Sequence, residues 1–306
     1  MTLIVRDFRP LDAAAVAEAR RSAFPHLVTT AQTVAWEFAA APAADRHRLL
    51  VAERDGEVVG AAEAGLFSDG DEPGQAYLDV SVRADARRAG AGSALVTAGE
   101  EYLAGLGAAA VFSWALGGRP AETFAERRGY RRGRSSRIQR LDLARADLPP
   151  LVPVPGTELR TATDFAADPR PLYEADAACT ADEPGDVAER PPAYEQWLAE
   201  RWQHPALDRE LTSVVLVGGA VAAYSVAHTD GRGRYWSAMT GAPRAFRGRG
   251  LAKLAKNDAL RRARAAGCTV AFTGNDGGNA PMLAVNAWLG YEPAVTEWRY
   301  VRELGA

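Results

Sequence analysis

The segment Arg87-Arg88-Ala89-Gly90-Ala91-Gly92 returns 160 residues later as Arg247-Gly248-Arg249-Gly250-Leu251-Ala252, and its surroundings return with it. An extended run precedes each copy, over residues 77–82 and 235–241. A helical pattern follows each, over 93–106 and 253–266, and closes on Gly107 and Gly267, the residue type that best fits a left-handed helix end. Apolar β-like runs come next, at 109–114 and 269–273, then second helical stretches at 122–130 and 279–291 that end in Gly-Tyr. In that last pair the offset has become 161. Upstream, two strand–turn–strand patterns match: residues 49–62 turn at Asp55-Gly56 and residues 213–226 at Gly218-Gly219, both strong hairpin signals. Each half opens on a strand followed by a helix, at 3–21 and 158–178. A period this long is far beyond a solenoid repeat, so the chain is a duplicated domain.

The division between the copies is compositional. Pro149-Pro150-Leu151-Val152-Pro153-Val154-Pro155-Gly156 cannot hold a helix and reads as an extended connector. The expected domains are therefore 1–148 and 157–306, with 149–156 as linker, in a chain of 306 residues. Strands and helices alternate in each half, which predicts an α/β (α+β) fold. The remaining composition excludes several classes. No uncharged apolar run approaches the roughly 18 residues needed to cross a bilayer, so no membrane association is expected. Residues 1–10 mix charged and apolar types without the apolar core of a secretion signal, which sets the expectation of a cytoplasmic protein. Two cysteines, Cys179 and Cys268, and four histidines show no metal-ligand spacing, so no metal site is expected. A net charge of −3 argues against nucleic acid as a partner. Lys253 and Lys256 are the only lysines, and the arginine excess reads as compositional bias.

Strand, then Arg-x-x-Gly-x-Gly/Ala, then helix makes an anion cradle. Glycines let the backbone turn tightly, so that successive N–H groups converge at the positive end of the helix dipole. A pyrophosphate is the natural guest, and Arg87, Arg88, Arg247 and Arg249 supply counter-charge. A nucleotide-hydrolase P-loop is excluded because neither copy has Gly-Lys-Ser/Thr at the required place. The dinucleotide fingerprint fails at its third glycine, where Leu95 and Lys253 stand.

These loops, with the approach from Val80 and from Thr240 and the late run from Thr273 to Tyr291, resemble the acyl-CoA-binding motif and last helix of the GCN5-related N-acetyltransferases (GNAT). The resemblance covers nearly the whole chain as a tandem pair of the kind found in actinobacterial proteins. It implies two GNAT-like domains, each a mixed twisted sheet flanked by helices and splayed between its fourth and fifth strands. The pyrophosphate of acetyl-CoA would rest on N–H groups of Arg88, Ala89, Gly90, Ala91, Gly92 and Ser93, or of Gly248, Arg249, Gly250, Leu251, Ala252 and Lys253. Backbone groups near Val80 and Val82, or Thr240 and Ala242, would pair with the pantetheine arm.

Many relatives carry a tyrosine five residues before the closing aromatic, as acid for the departing thiolate. Here those positions are Ala125 and Asn286, so both halves depart from the pattern. The second half keeps Asn275, Asn279 and Asn286, and the expectation is that it is catalytic, with Asn286 at the thiol and the first half a degenerate CoA-binding or structural partner. Asn279 is read either as a cofactor contact or as a helix N-cap. The acidic group Asp182, Glu183, Asp186 and Glu189 reads as a solvated loop, Asp79 as a carboxylate with a structural partner, and Tyr194, Trp197 and Trp202 as packing. The activity implied is acetyl transfer to a primary amine of a small molecule, by a monomer or a homodimer. A protein or peptide N-terminal or lysine acetyltransferase is the enzyme alternative. A non-catalytic acyl-CoA sensor or scaffold is the other, because neither half keeps the tyrosine.

Overall fold

In the computed structural model, which describes residues 2–68, 70, 72–181 and 191–304, the chain forms two compact units. The first is built from β1 (Leu3–Asp7), α1 (Ala13–Ala23), α2 (Ala31–Ala40), β2 (Arg48–Arg54), β3 (Glu57–Leu66), β4 (Gln75–Val82), α3 (Ala91–Gly105), β5 (Ala110–Leu116), α4 (Arg119–Glu126) and the start of β6 (Arg131–Asp142). Strands β1 to β4 pair antiparallel in chain order, and β5 joins β4 in parallel. Asp55 and Gly56 both take positive φ, 50° and 88°, as a two-residue hairpin turn requires. Alternation along the strands makes two apolar layers. On one face Leu50 and Leu78 pack with Leu95 and Leu103 of α3, and on the other Leu49 and Val51 pack with Val16 of α1 and Val34 of α2. A Cβ at Gly99 would collide with Leu78, so the glycine is what lets α3 lie close on β4.

The second unit repeats the plan with β7 (Thr157–Thr161), α5 (Arg170–Thr180), α6 (Tyr194–Trp197), β8 (Ser213–Val217), β9 (Ala220–Thr229), β10 (Arg234–Gly241), α7 (Leu251–Ala265), β11 (Val270–Asp276) and α8 (Ala280–Trp288). The hairpin between β8 and β9 again turns on two positive-φ residues, Gly218 and Gly219. Trp197 and Trp202 are buried with Val214 and Tyr224, the packing role expected of them. The two cysteines are buried and unlinked. Among the described residues, no helix is long and apolar enough to cross a membrane.

The units do not follow the division at 149–156. Strand β12 (Glu292–Glu303), the last of the chain, belongs from Val295 onward to the first unit, where residues 297–303 pair antiparallel with β5. From Arg137 onward, β6 belongs to the second unit and neighbours β11 in strand order. Each half thus gives its final strand to the sheet of the other. The chain passes between units along β6, and the proline-rich segment lies wholly within the second unit. It is fastened to α7 there: Asn257 Nδ2 donates to the Pro149 carbonyl at 2.9 Å, and Arg261 Nη2 to the same oxygen at 2.7 Å.

Candidate active site

In the first unit β4 and β5 pair only through residues 75–77 and 110–112, then part. A cavity of about 740 Å³ opens along this seam, within the range typical of small-molecule sites. Val80 and Val82 line it from β4, and Arg87, Arg88, Gly90, Gly92 and Ser93 from the loop and the first turn of α3. Ala89 and Ala91 do not line it. Arg88 and Gly90 take positive φ, 64° and 91°, and α3 starts with no side-chain cap. Its first N–H groups are therefore left for a ligand.

The arginines divide the work. Arg87 turns back on its own loop, its Nε donating to the Val82 carbonyl at 3.1 Å and its Nη2 to the Ser22 carbonyl at 2.7 Å. Arg247 does the same, Nε to the Ala242 carbonyl at 2.9 Å. These hydrogen bonds brace the loop, and Arg87 also lines the cavity. Arg88 and Arg249 are exposed and remain as the cations of the two loops. In the second loop Gly248 and Gly250 take φ of 75° and 76°, and nothing lies within 4 Å of a Cβ built on either. The cradle is thus present in duplicate.

The side chains beneath the two cradles differ. In the first unit the cavity is floored by Val96, Ala115, Ala125 and Tyr300 among others. The repeat offsets put Lys256, Asn275, Asn286 and Gln139 at the matching positions of the second unit. There the four form one hydrogen-bonded cluster. Lys256 Nζ donates to Asn286 Oδ1 at 2.7 Å and to Thr273 Oγ1 at 3.2 Å. Asn286 Nδ2 donates to Gln139 Oε1 at 2.8 Å and to Asn275 Oδ1 at 2.7 Å. Asn286 is 0% exposed and Lys256 1%, and burial pushes the lysine down to about 7. The asparagine expected at the thiol of a cofactor is itself buried at the hub of this network, whose member Asn275 is half-buried. Asn279 caps α8, accepting the Met282 N–H at 3.3 Å, and the Thr240 hydroxyl bonds those of Ser225 and Ser237.

The parity of β4 sends Asp79 to the face opposite Val80, as alternation predicts. Asp79 does not itself line the cavity, but it stands between β4 and β5 beside Trp114, which does. The Trp114 N–H donates to Asp79 Oδ1 at 2.7 Å, so a carboxylate stands where a strand carbonyl would otherwise sit. Burial raises the Asp79 carboxyl to about 6; the Trp114 N–H and Arg299 oppose the rise, and Glu63 and Glu297 add to it. Around it, Glu63 lies opposite Asp79 in register and pairs with Arg20 at 2.8 Å, and His26 Nε2 lies 3.0 Å from Glu297 Oε1. In the second unit Met239 and Val226 hold the register positions of Asp79 and Glu63. Sequence reasoning passed over Asp79, although the contrast between Asp79 and Met239 at the repeat offset is a legible signal. Asp182, Glu183, Asp186 and Glu189 lie outside the described residues.

Residues 13–130 match the model of the acetyltransferase (GNAT) family. The chain is 40% identical over 168 residues to a mycothiol acetyltransferase of Nocardia farcinica (strain IFM 10152), a match covering 54% of this chain and 52% of that one. It therefore spans about half the length of this curated relative. Among solved structures, a tandem GNAT protein from the clavulanic acid biosynthesis pathway aligns over 100% of this chain and 99% of its own, with a TM-score of 0.75 and 21% identity. A GCN5-related N-acetyltransferase from Sphaerobacter thermophilus aligns over 98% and 95%, with a TM-score of 0.69 and 20% identity. At such identities the two structures establish the fold.

Proposed function

We propose that the first unit, whose residues 13–130 match the model of the acetyltransferase (GNAT) family, transfers an acetyl group from acetyl-CoA to a primary amine of a small molecule. The observation that carries this reading is the pairing of an open cavity with a carboxylate at its seam. Both are features of the first unit; at the matching positions the second unit carries the Lys256–Asn286 cluster and Met239. This reverses the assignment expected from the asparagines of the last helix.

The residues present fit acetyl-CoA. N–H groups at the start of α3, with Arg88 beside them, suit a pyrophosphate, and the unpaired edge of β4 beyond Tyr77 suits an amide-bearing arm beside Val80 and Val82. When bound, acetyl-CoA supplies an acyl group on a good leaving thiol. The residues of the chain then have two tasks. Asp79 is ionised at neutral pH and takes the proton that the attacking amine must lose. The apolar walls of Val80, Val82 and Ala115 hold the thioester dry and in one orientation.

Likeness to a mycothiol acetyltransferase supports a small molecule over a protein. The net charge of −3 gives no reason to expect nucleic acid, and we place the reaction in the cytoplasm, where the thioester is available. The test is thiol release from acetyl-CoA in the presence of a panel of small primary amines, with lysine-containing peptides alongside. Amine-dependent release that is lost in Asp79→Asn supports the reading. Binding of acetyl-CoA without release by any amine would instead favour a sensor.

A further inference from the structure

Tyr300 enters the first unit from the last strand of the chain, opposite Ser113 of β5, and lines the cavity floor together with Ala125. It is 1% exposed, and its hydroxyl has no hydrogen-bond partner among the described residues. Leaving a buried hydroxyl unpaired costs about 1–3 kcal/mol. A tyrosine kept under that penalty beside a ligand cavity calls for a partner, where phenylalanine would fill the same space without it.

The duplicate shows what this side chain reaches. Residue 139 occupies in β6 the position of residue 300 in β12, and residue 286 occupies in α8 that of residue 125 in α4, both at the 161 offset. In the second unit those two side chains touch, Gln139 Oε1 accepting from Asn286 Nδ2 at 2.8 Å. A side chain at 300 therefore extends to the place that a long side chain at 125 would occupy, and alanine leaves that place empty.

Resting on the functional reading above, we propose that the Tyr300 hydroxyl donates a hydrogen bond to the thioester sulfur of acetyl-CoA and holds the thiolate as it leaves. In the transfer the amine nitrogen bonds to the acyl carbon and the carbon–sulfur bond breaks, its electron pair remaining on sulfur. The amine's proton passes to Asp79. Tyr300 keeps its own proton and donates to the thiolate, which solvent protonates on release. The strand exchange thus has a catalytic use: the first unit receives its thiolate donor from the far end of the chain.

The experiment compares the full chain with Tyr300→Phe. CoA is bound to each, and its thiol is titrated by the ultraviolet band of the thiolate. Loss of a charge-assisted hydrogen bond should raise the midpoint by about one unit in the variant. With acetyl-CoA and an accepted amine, kcat should fall at least about tenfold, and Ala125→Tyr added to Tyr300→Phe should restore most of it. A merely structural tyrosine predicts neither the shifted midpoint nor rescue from another element. An unchanged midpoint, or unchanged kcat, with CoA still bound overturns the Tyr300 assignment alone. Failure of the unaltered chain to bind CoA overturns the functional reading, and this assignment with it.

Discussion

Lys256 and Asn286 meet at 2.7 Å in the interior of the second unit, and no carboxylate shares their cluster among the described residues. The lysine is lowered from 10.5 to about 7 by burial, so the unfolded chain binds its proton more readily than the folded one between those values. Stability must therefore rise with pH across that window. The penalty for the charged form, on the order of 5 kcal/mol, is fully present below pH 7 and is gone by about pH 10.5. In Lys256→Met the melting temperature should lose this rise. The variant's advantage over the parent should be largest at pH 6 and should shrink steadily toward pH 10. A difference between the two that is flat in pH would place the lysine's charge in contact with water.

The same cluster fixes how many ligands the chain takes. Lys256, Asn275, Asn286 and Gln139 form a bonded polar cluster at the positions where Val96, Ala115, Ala125 and Tyr300 line the cavity of the first unit. Isothermal titration with acetyl-CoA should give one site per chain. Gly90→Glu sets an anion and a strained left-handed backbone in the first cradle and should abolish binding. Gly250→Glu makes the same change above that polar cluster, and the isotherm should be unaltered. Two equivalent sites in the parent would show that the polar cluster yields to the ligand.

What the sequence disclosed and what it hid separate along a physical line. The repeat, the hairpins and the two cradles depend on local constraints: positive φ at Gly56, Gly90, Gly219 and Gly250, and helix starts just after glycine. Those constraints are written in a few adjacent letters. The exchange of β6 and β12 is not, because a strand's partner is chosen by the whole sheet, and Leu116 pairs with Glu297 across most of the chain. The burial of Lys256 is not written locally either, because only its partners Asn286 and Thr273, from distant elements, reveal it. For Asp79 the alternation was read correctly. What was missed was the open seam, which lets Asp79 accept from the N–H of Trp114, a residue that lines the cavity.

The raised Asp79 carboxyl sets the acid limb of catalysis. A base works only when ionised, so kcat/KM should rise with pH through about 6 and level off above it. Asp79→Asn keeps the acceptor for the Trp114 N–H through its amide oxygen but cannot take a proton. The expected loss is about 10²–10⁴-fold in kcat, with acetyl-CoA affinity nearly unchanged. An acid limb that persists near 6 in the asparagine variant would assign it to another group.

Arg87 and Arg88 are adjacent in sequence yet should fail in different ways. Arg87 spends its guanidinium on the carbonyls of Val82 and Ser22, so Arg87→Ala removes the brace that shapes the loop. Its effect on acetyl-CoA affinity should depend on salt less than that of Arg88, because Arg87 acts through short-range hydrogen bonds to carbonyls. Arg87→Lys should not restore it, since a single ammonium cannot reproduce the fork that spans two carbonyls. Arg88 is exposed at the mouth of the cradle and acts as charge. Arg88→Ala should cost up to about tenfold in affinity at low ionic strength, shrinking toward parity near 1 M salt, where the screening length falls to about 3 Å. Arg88→Lys should recover most of the loss. Equal salt dependence for the two alanine variants would mean that both arginines act on the ligand as charges.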